Sequence, residues 1–173
     1  TLATVAFTWS VDRAAGVAAL LLSSASVTVG VLASLRAVRD ARALHEALSL
    51  ATLAALAVHG LAFALDPYLG AGLVGAAVPF ASPWRPLAVA AGQVAGYGLA
   101  ALGLSYYVRG RLGPARWRAA HRFAGAFWLL GVVHAIFAGS DAGRPWLLLV
   151  AAAPVIAAIV ALAARWESRS ATE

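Results

Sequence analysis

At 173 residues, with 62% of them hydrophobic and 12% charged, the chain lies far from the composition of a water-soluble domain, whose apolar share is about 45–50%. Cysteine and methionine are absent, which excludes disulfides, iron–sulfur ligation, covalent c-type haem attachment and soft thiolate or thioether copper sites. The net charge of +6 is carried by arginine without any lysine, and the arginines sit in short connections between apolar runs, so a nucleic-acid surface is not expected.

Five runs are long enough to cross about 30 Å of hydrocarbon. They are Ala14–Leu35, His45–Leu65, Pro86–Val108, Ala119–Ser140 and Pro145–Ala164. The expectation is an all-α, polytopic membrane helical bundle of about five spans, forming a single domain over residues 1–173. Ala14–Leu35 is too long for the apolar core of a cleavable signal, about 7–15 residues. The chain begins at Thr1 rather than methionine, which leaves room for a segment upstream.

Ahead of the first span, Thr1–Arg13 carries Trp9, Asp12 and Arg13. It reads as an interfacial anchor, or alternatively as a place where Arg13 holds an anionic group. Between spans two and three, Asp66–Arg85 is apolar but broken by glycine and proline, so it reads as a re-entrant or surface-lying segment. Tyr68, Phe80 and Trp84 suit the headgroup level there. Gly70–Gly75 matches GxGxxG formally, but the dinucleotide fingerprint needs a preceding strand and a βαβ unit, and neither is expected here. Span three carries Gly92-Gln93-Val94-Ala95-Gly96, a small-xxx-small pattern read as helix packing. Span five contains Pro154, expected to kink it. Five of the six tryptophans fall near span ends, and Trp128 alone lies mid-span.

The arginines set a direction. Arg36, Arg39, Arg42, Arg109, Arg111, Arg116, Arg118, Arg122, Arg165 and Arg169 would lie on one side, against Arg13, Arg85 and Arg144 on the other. The positive-inside rule then places the amino terminus outside and the carboxyl terminus in the cytoplasm of a multi-pass cell-membrane protein.

All four histidines fall on two spans. His45 and His59 are fourteen residues apart, which on an ideal helix leaves them within about 40° of one face and roughly 21 Å apart along the axis. His121 and His134 are thirteen apart, which misses a common face by about 140° on an ideal helix. Span four is therefore expected to contain tightened or bulged turns, to place His121 where the helix only begins, or to use Gly125 and Gly131 for irregular backbone. Spans two and four run in the same direction, so His45 faces the level of His121 and His59 that of His134. Ionisable residues within spans are costly and are functional candidates by default.

A zinc or di-iron site needs three or four ligands gathered at one point, whereas these stand as two pairs at two depths. A haem iron needs one axial ligand on each face. Two b-type haems, one between His45 and His121 near the inner surface and one between His59 and His134 near the outer, fit the count and the spacing. Ser49, Thr52 and Ala55 keep the intervening face of span two small enough for a flat macrocycle. Arg42, Arg118 and Arg122 inside and Arg85 and Arg144 outside are possible propionate contacts, although each also serves as a topology signal or lipid-headgroup contact. Trp128 is a possible inter-haem residue or a packing residue.

With these pairs in view, the chain resembles the ferric reductase-like transmembrane family, which includes the membrane domains of NADPH oxidases and metalloreductases. The histidine spacings of fourteen and thirteen on two parallel helices carry the resemblance. Val78-Pro79-Phe80, Arg85-Pro86, Trp117-Arg118-Ala119-Ala120-His121-Arg122 and Gly139-Ser140-Asp141 support it. The resemblance implies electrons passing from a cytosolic flavin through an inner and then an outer haem to an external acceptor such as ferric iron, dioxygen or a partner redox protein. No flavin or nicotinamide domain follows span five, so FAD or FMN is expected on a separate flavoprotein reductase or a missing region, with the quinone pool as another donor. A quinol-linked cytochrome b subunit is an alternative, because such proteins also space histidines this way. A membrane scaffold or transporter with structural histidines is a third reading.

Overall fold

The computed structural model describes residues 2–34, 41–141 and 143–170, and every regular element among them is helical. In chain order these are α1 (Leu2–Ser34), α2 (Ala41–Leu65), α3 (Gly72–Ala77), α4 (Pro86–Leu104), α5 (Arg109–Leu112), α6 (Pro114–His121), α7 (Ala124–Ala138) and α8 (Pro145–Ser170). A 3₁₀ turn over Ser105–Val108 joins α4 to α5. Proline opens α4, α6 and α8, where its missing N–H breaks no intrahelical bond.

By length and composition, four helical stretches can each cross a bilayer: Ala3–Ala33, Ala41–Leu65, Pro86–Leu112 and Pro114–Ala138. The chain is thus helical and, on these four stretches, multi-pass. The expected fifth span, Pro145–Ala164, lies within α8, and among the described residues its apolar part runs over Pro145–Val160. The amino-terminal piece expected ahead of span one is helical and continuous with it, because α1 runs unbroken through Asp12 and Arg13. Arg36 and Arg39 lie outside the described residues.

Two antiparallel hairpins form the body: α1 packs along α2, and α4 packs along α7, while α8 covers α1. The small side chains on α4 make the second contact close, with Phe127 laid against Gly98 and Gly131 facing Ala95. Buried Leu20, Trp128, Val132 and Leu147 knit α1, α7 and α8 together. By contrast, α2 and α7 face one another across a gap with little backbone packing.

Residues 66–85 form neither a strand nor a second hairpin. Asp66 Oδ1 accepts the N–H groups of Tyr68 and Leu69 at 2.8 and 3.2 Å, turning the chain into α3. The Gln93 amide donates to the carbonyls of Gly75 and Ala76 at 2.8 and 2.9 Å, and the Tyr97 hydroxyl to that of Ala77. These bonds satisfy backbone oxygens left free at the end of α3 and fix it to α4.

The fourth span breaks at Arg122–Phe123, immediately after His121. Phe123 N–H bonds to Ala120 C=O and Ala126 N–H to Phe123 C=O, both at 3.0 Å and both closing three-residue rather than four-residue turns. Such turns wind faster than an α-helix, which changes the angular relation between His121 and His134. Gly125 and Gly131, offered from the sequence as the irregular points, lie inside regular α7.

Candidate functional site

His45 and His59 project from α2, and His121 and His134 from the end of α6 and from α7. The rings of His45 and His121 lie 6.0 Å apart, centre to centre, and those of His59 and His134 lie 6.1 Å apart. The four histidines therefore meet as two pairs across the gap between the hairpins, and the pairing makes α2 and α7 parallel. Two imidazoles bound through nitrogen to opposite sides of one metal ion, each at about 2.0–2.1 Å, place their ring centres about 6.3 Å apart. No group of three or more histidine, aspartate or glutamate side chains suited to a bare metal ion occurs among the described residues.

Three of the four rings are held by the same device. His45 Nδ1 lies 2.9 Å from the carbonyl of Ser26, His59 Nδ1 3.0 Å from that of Asp12, and His134 Nδ1 2.8 Å from that of Ala88. A carbonyl only accepts, so Nδ1 carries a proton, and in the neutral ring Nε2 is then the ligand-capable nitrogen. Four residues beyond each carbonyl stands a glycine: Gly30, Gly16 and Gly92. A Cβ at these positions would lie 3.3, 3.1 and 2.6 Å from the ring it faces. The missing side chains let each imidazole lie against the neighbouring helix.

These glycines, with Ser26 and Asp12, are functional candidates that the histidine pattern alone did not name. A signal for two of them stands in the sequence. Gly16 and Gly30 are fourteen residues apart on α1, the spacing of His45 and His59 on α2, as an antiparallel pair in register requires. Gly92 was read only as a packing residue. Its partner in the small-xxx-small pattern, Gly96, faces open space, and a Cβ there would meet no atom within 4 Å.

His121 is held differently. Its Nδ1 is buried without a hydrogen-bond partner among the described residues, and its ring stacks on Trp117 at 4.7 Å and 19°. Trp117 is fixed by its indole N–H to Ser105 Oγ at 3.0 Å and by an edge contact with Tyr106.

The surroundings of the pairs differ in room. A cavity of about 790 Å³ opens beside His59 and His134, within the size range of small-molecule and cofactor sites. Thr52, Gly92, Trp128 and Arg85 are among its lining residues. Only about 50 Å³ is open beside His45 and His121, lined by Ser49, Thr52, Leu99, Leu102 and others. The small residues expected on α2 thus face the gap at Ser49 and Thr52; Ala55 lines neither cavity.

Of the arginines proposed as anion contacts, Arg85 lines the large cavity, donates to the Phe137 carbonyl at 2.5 Å and lies over the Trp84 ring. Its φ of 42° is left-handed, a conformation costly for a side chain other than glycine. Arg42, Arg118, Arg122 and Arg144 are exposed and line neither cavity. Arg13, on the same large cavity, makes a two-point contact with Asp141 at 2.8 and 3.0 Å, so the anionic group it holds is the protein's own. That guanidinium holds the Asp141 carboxyl below the usual carboxylate range. Trp128 is buried, donates to Ser24 Oγ at 3.0 Å, and borders the large cavity. Comparison with protein-family models, curated proteins and solved structures gives no match.

Proposed function

We propose that this chain is the membrane electron-transfer domain of an oxidoreductase, holding two b-type haems between α2 and the span formed by α6 and α7. The observation that carries the reading is the ring separation within both histidine pairs, 6.0 and 6.1 Å, close to what two axial imidazoles on one iron require. The fixed Nδ1–H tautomers of His45, His59 and His134 and the large cavity beside the second pair support it, while the gap of about 50 Å³ beside the first pair has to widen to admit a macrocycle. When bound, haem supplies reversible one-electron chemistry, and an iron with both axial positions filled by histidine has no open site for substrate. The residues of this chain hold, orient and insulate the groups. The pairs stand fourteen residues apart on α2, roughly 21 Å along the axis at about 1.5 Å per residue.

In this reading the His45–His121 end faces the cytoplasm, next to Arg42, Arg109, Arg111, Arg116, Arg118 and Arg122. Electrons come from a separate flavoprotein or a quinol and leave at the His59–His134 end for an external acceptor, in the manner of ferric reductase-like membrane domains. Oxidised and dithionite-reduced visible spectra of the purified protein test the proposal. A b-type α-band on reduction and two haems per chain are expected. A colourless protein from a haem-replete host would refute it.

A further inference from the structure

The two histidine pairs are alike in ring separation and unlike in what holds the rings. His59 Nδ1 lies 3.0 Å from the Asp12 carbonyl and 2.9 Å from Oδ1 of the same residue's carboxylate. The N–H points at the carbonyl, so Oδ1 is left buried, close to the ring, and without a hydrogen bond of its own. The neighbouring cation, Arg13, is taken by Asp141. The Asp12 charge is therefore directed at His59 with no other described partner.

Among the described residues, no carboxylate holds a ring at the other pair. His45 Nδ1 meets the carbonyl and hydroxyl oxygens of Ser26 at 2.9 and 3.1 Å, both neutral. Glu46, next in sequence, accepts the Tyr107 hydroxyl instead. His121 Nδ1 is buried with no hydrogen-bond partner among the described residues. A hydrogen bond or negative charge at the distal nitrogen makes a metal-bound imidazole a stronger donor. A stronger donor favours oxidised over reduced iron, which lowers the reduction potential.

Resting on the haem reading above, we propose that the two sites are unequal by construction. Asp12 makes the His59–His134 site the lower-potential one, and the unpartnered Nδ1 of His121 makes the His45–His121 site the higher-potential one. Asp12 is thus a positioning residue that acts through His59 and touches neither substrate nor iron.

An optical redox titration of the purified, haem-loaded protein tests this without any turnover. Two separate one-electron waves are expected. The His121→Leu variant, keeping only the haem of the other pair, is expected to retain the lower wave. Asp12→Asn removes the charge but keeps the backbone carbonyl that positions the ring. It is expected to raise the lower wave and leave the upper one in place. Asp12→Glu is expected to restore part of the separation. Coincident waves in the parent protein, an upper wave retained in His121→Leu, or an Asp12→Asn variant whose lower wave does not move would overturn the proposal while two haems per chain remained bound. Should Asp12→Asn lose a haem, the assignment in His121→Leu decides alone. A protein that binds no haem overturns the underlying reading instead.

Discussion

His134 depends on a residue that carries no side chain. The Cβ of an alanine at Gly92 would fall 2.6 Å from His134 Nδ1, whereas one at Gly96, a turn further along α4, meets nothing within 4 Å. Overpacking of this kind costs about 1–3 kcal/mol when the surroundings have to move. Gly92→Ala is expected to displace the His134 ring and reduce haem content from two per chain toward one, with Gly96→Ala unaffected; equal haem content in both variants would contradict the cradle. Gly16→Ala and Gly30→Ala, at 3.1 and 3.3 Å, are expected to fall between them. The histidines could be read from the sequence because each is rare and costly within an apolar run. The cradles were partly legible, since Gly16 and Gly30 repeat the interval of His45 and His59. The contact of Arg13 with Asp141 was not, because 128 residues separate them and no local pattern joins them. That contact also sets a pH dependence. Asp141 is depressed chiefly by its hydrogen bond from Arg13, so its contribution is present above the unfolded carboxylate pKa and is lost as pH falls through the lower folded one. Thermal stability is expected to decline on acidification through that window in the parent protein, and the part of the decline due to this pair to be missing in Asp141→Asn.

At the scale of elements, the thirteen-residue interval from His121 to His134 is the informative feature. On an uninterrupted helix it would point the two rings to different sides, and the sequence required an irregularity without locating it. The structure places it at Arg122–Phe123, where three-residue turns replace four-residue ones, rather than at either glycine. Glycine content was a poor guide because Gly125 and Gly131 sit in regular helix, the latter opposite Ala95, where its small size serves packing with α4. Inserting one alanine after Gly125 turns everything beyond by about 100°. This is expected to carry His134 away from His59 and leave one haem per chain, which haem quantification would reveal. Retention of both would mean that the register of α7 does not set the pairing. The reading of residues 66–85 as a re-entrant or surface-lying segment did not locate α3 within it, because six residues are too few for a periodic signal and the bonds that fix them come from Gln93 and Tyr97 on α4.

For the whole molecule, hydropathy made the helical, membrane-spanning class legible, and four stretches meet the length for a crossing. Asp12 and Arg13, expected ahead of the first span, lie within one continuous helix. The contact of half-buried Asp12 with His59 and the pairing of Arg13 with Asp141 explain how that helix accommodates both charges. In the orientation proposed, an electron leaving the His45–His121 end for the His59–His134 end moves away from a negative interior. A membrane potential contributes about 2.3 kcal/mol per elementary charge per 100 mV. This pull can offset a step from a higher-potential to a lower-potential site. The central claim, that the histidines act as two pairs bridging α2 and the fourth span, is tested most directly by counting haem in two double variants. Replacing His59 and His134 together removes one pair and is expected to leave one haem per chain. Replacing His45 and His59 together takes a ligand from each pair and is expected to leave none. The same haem content in both double variants would contradict the pairing.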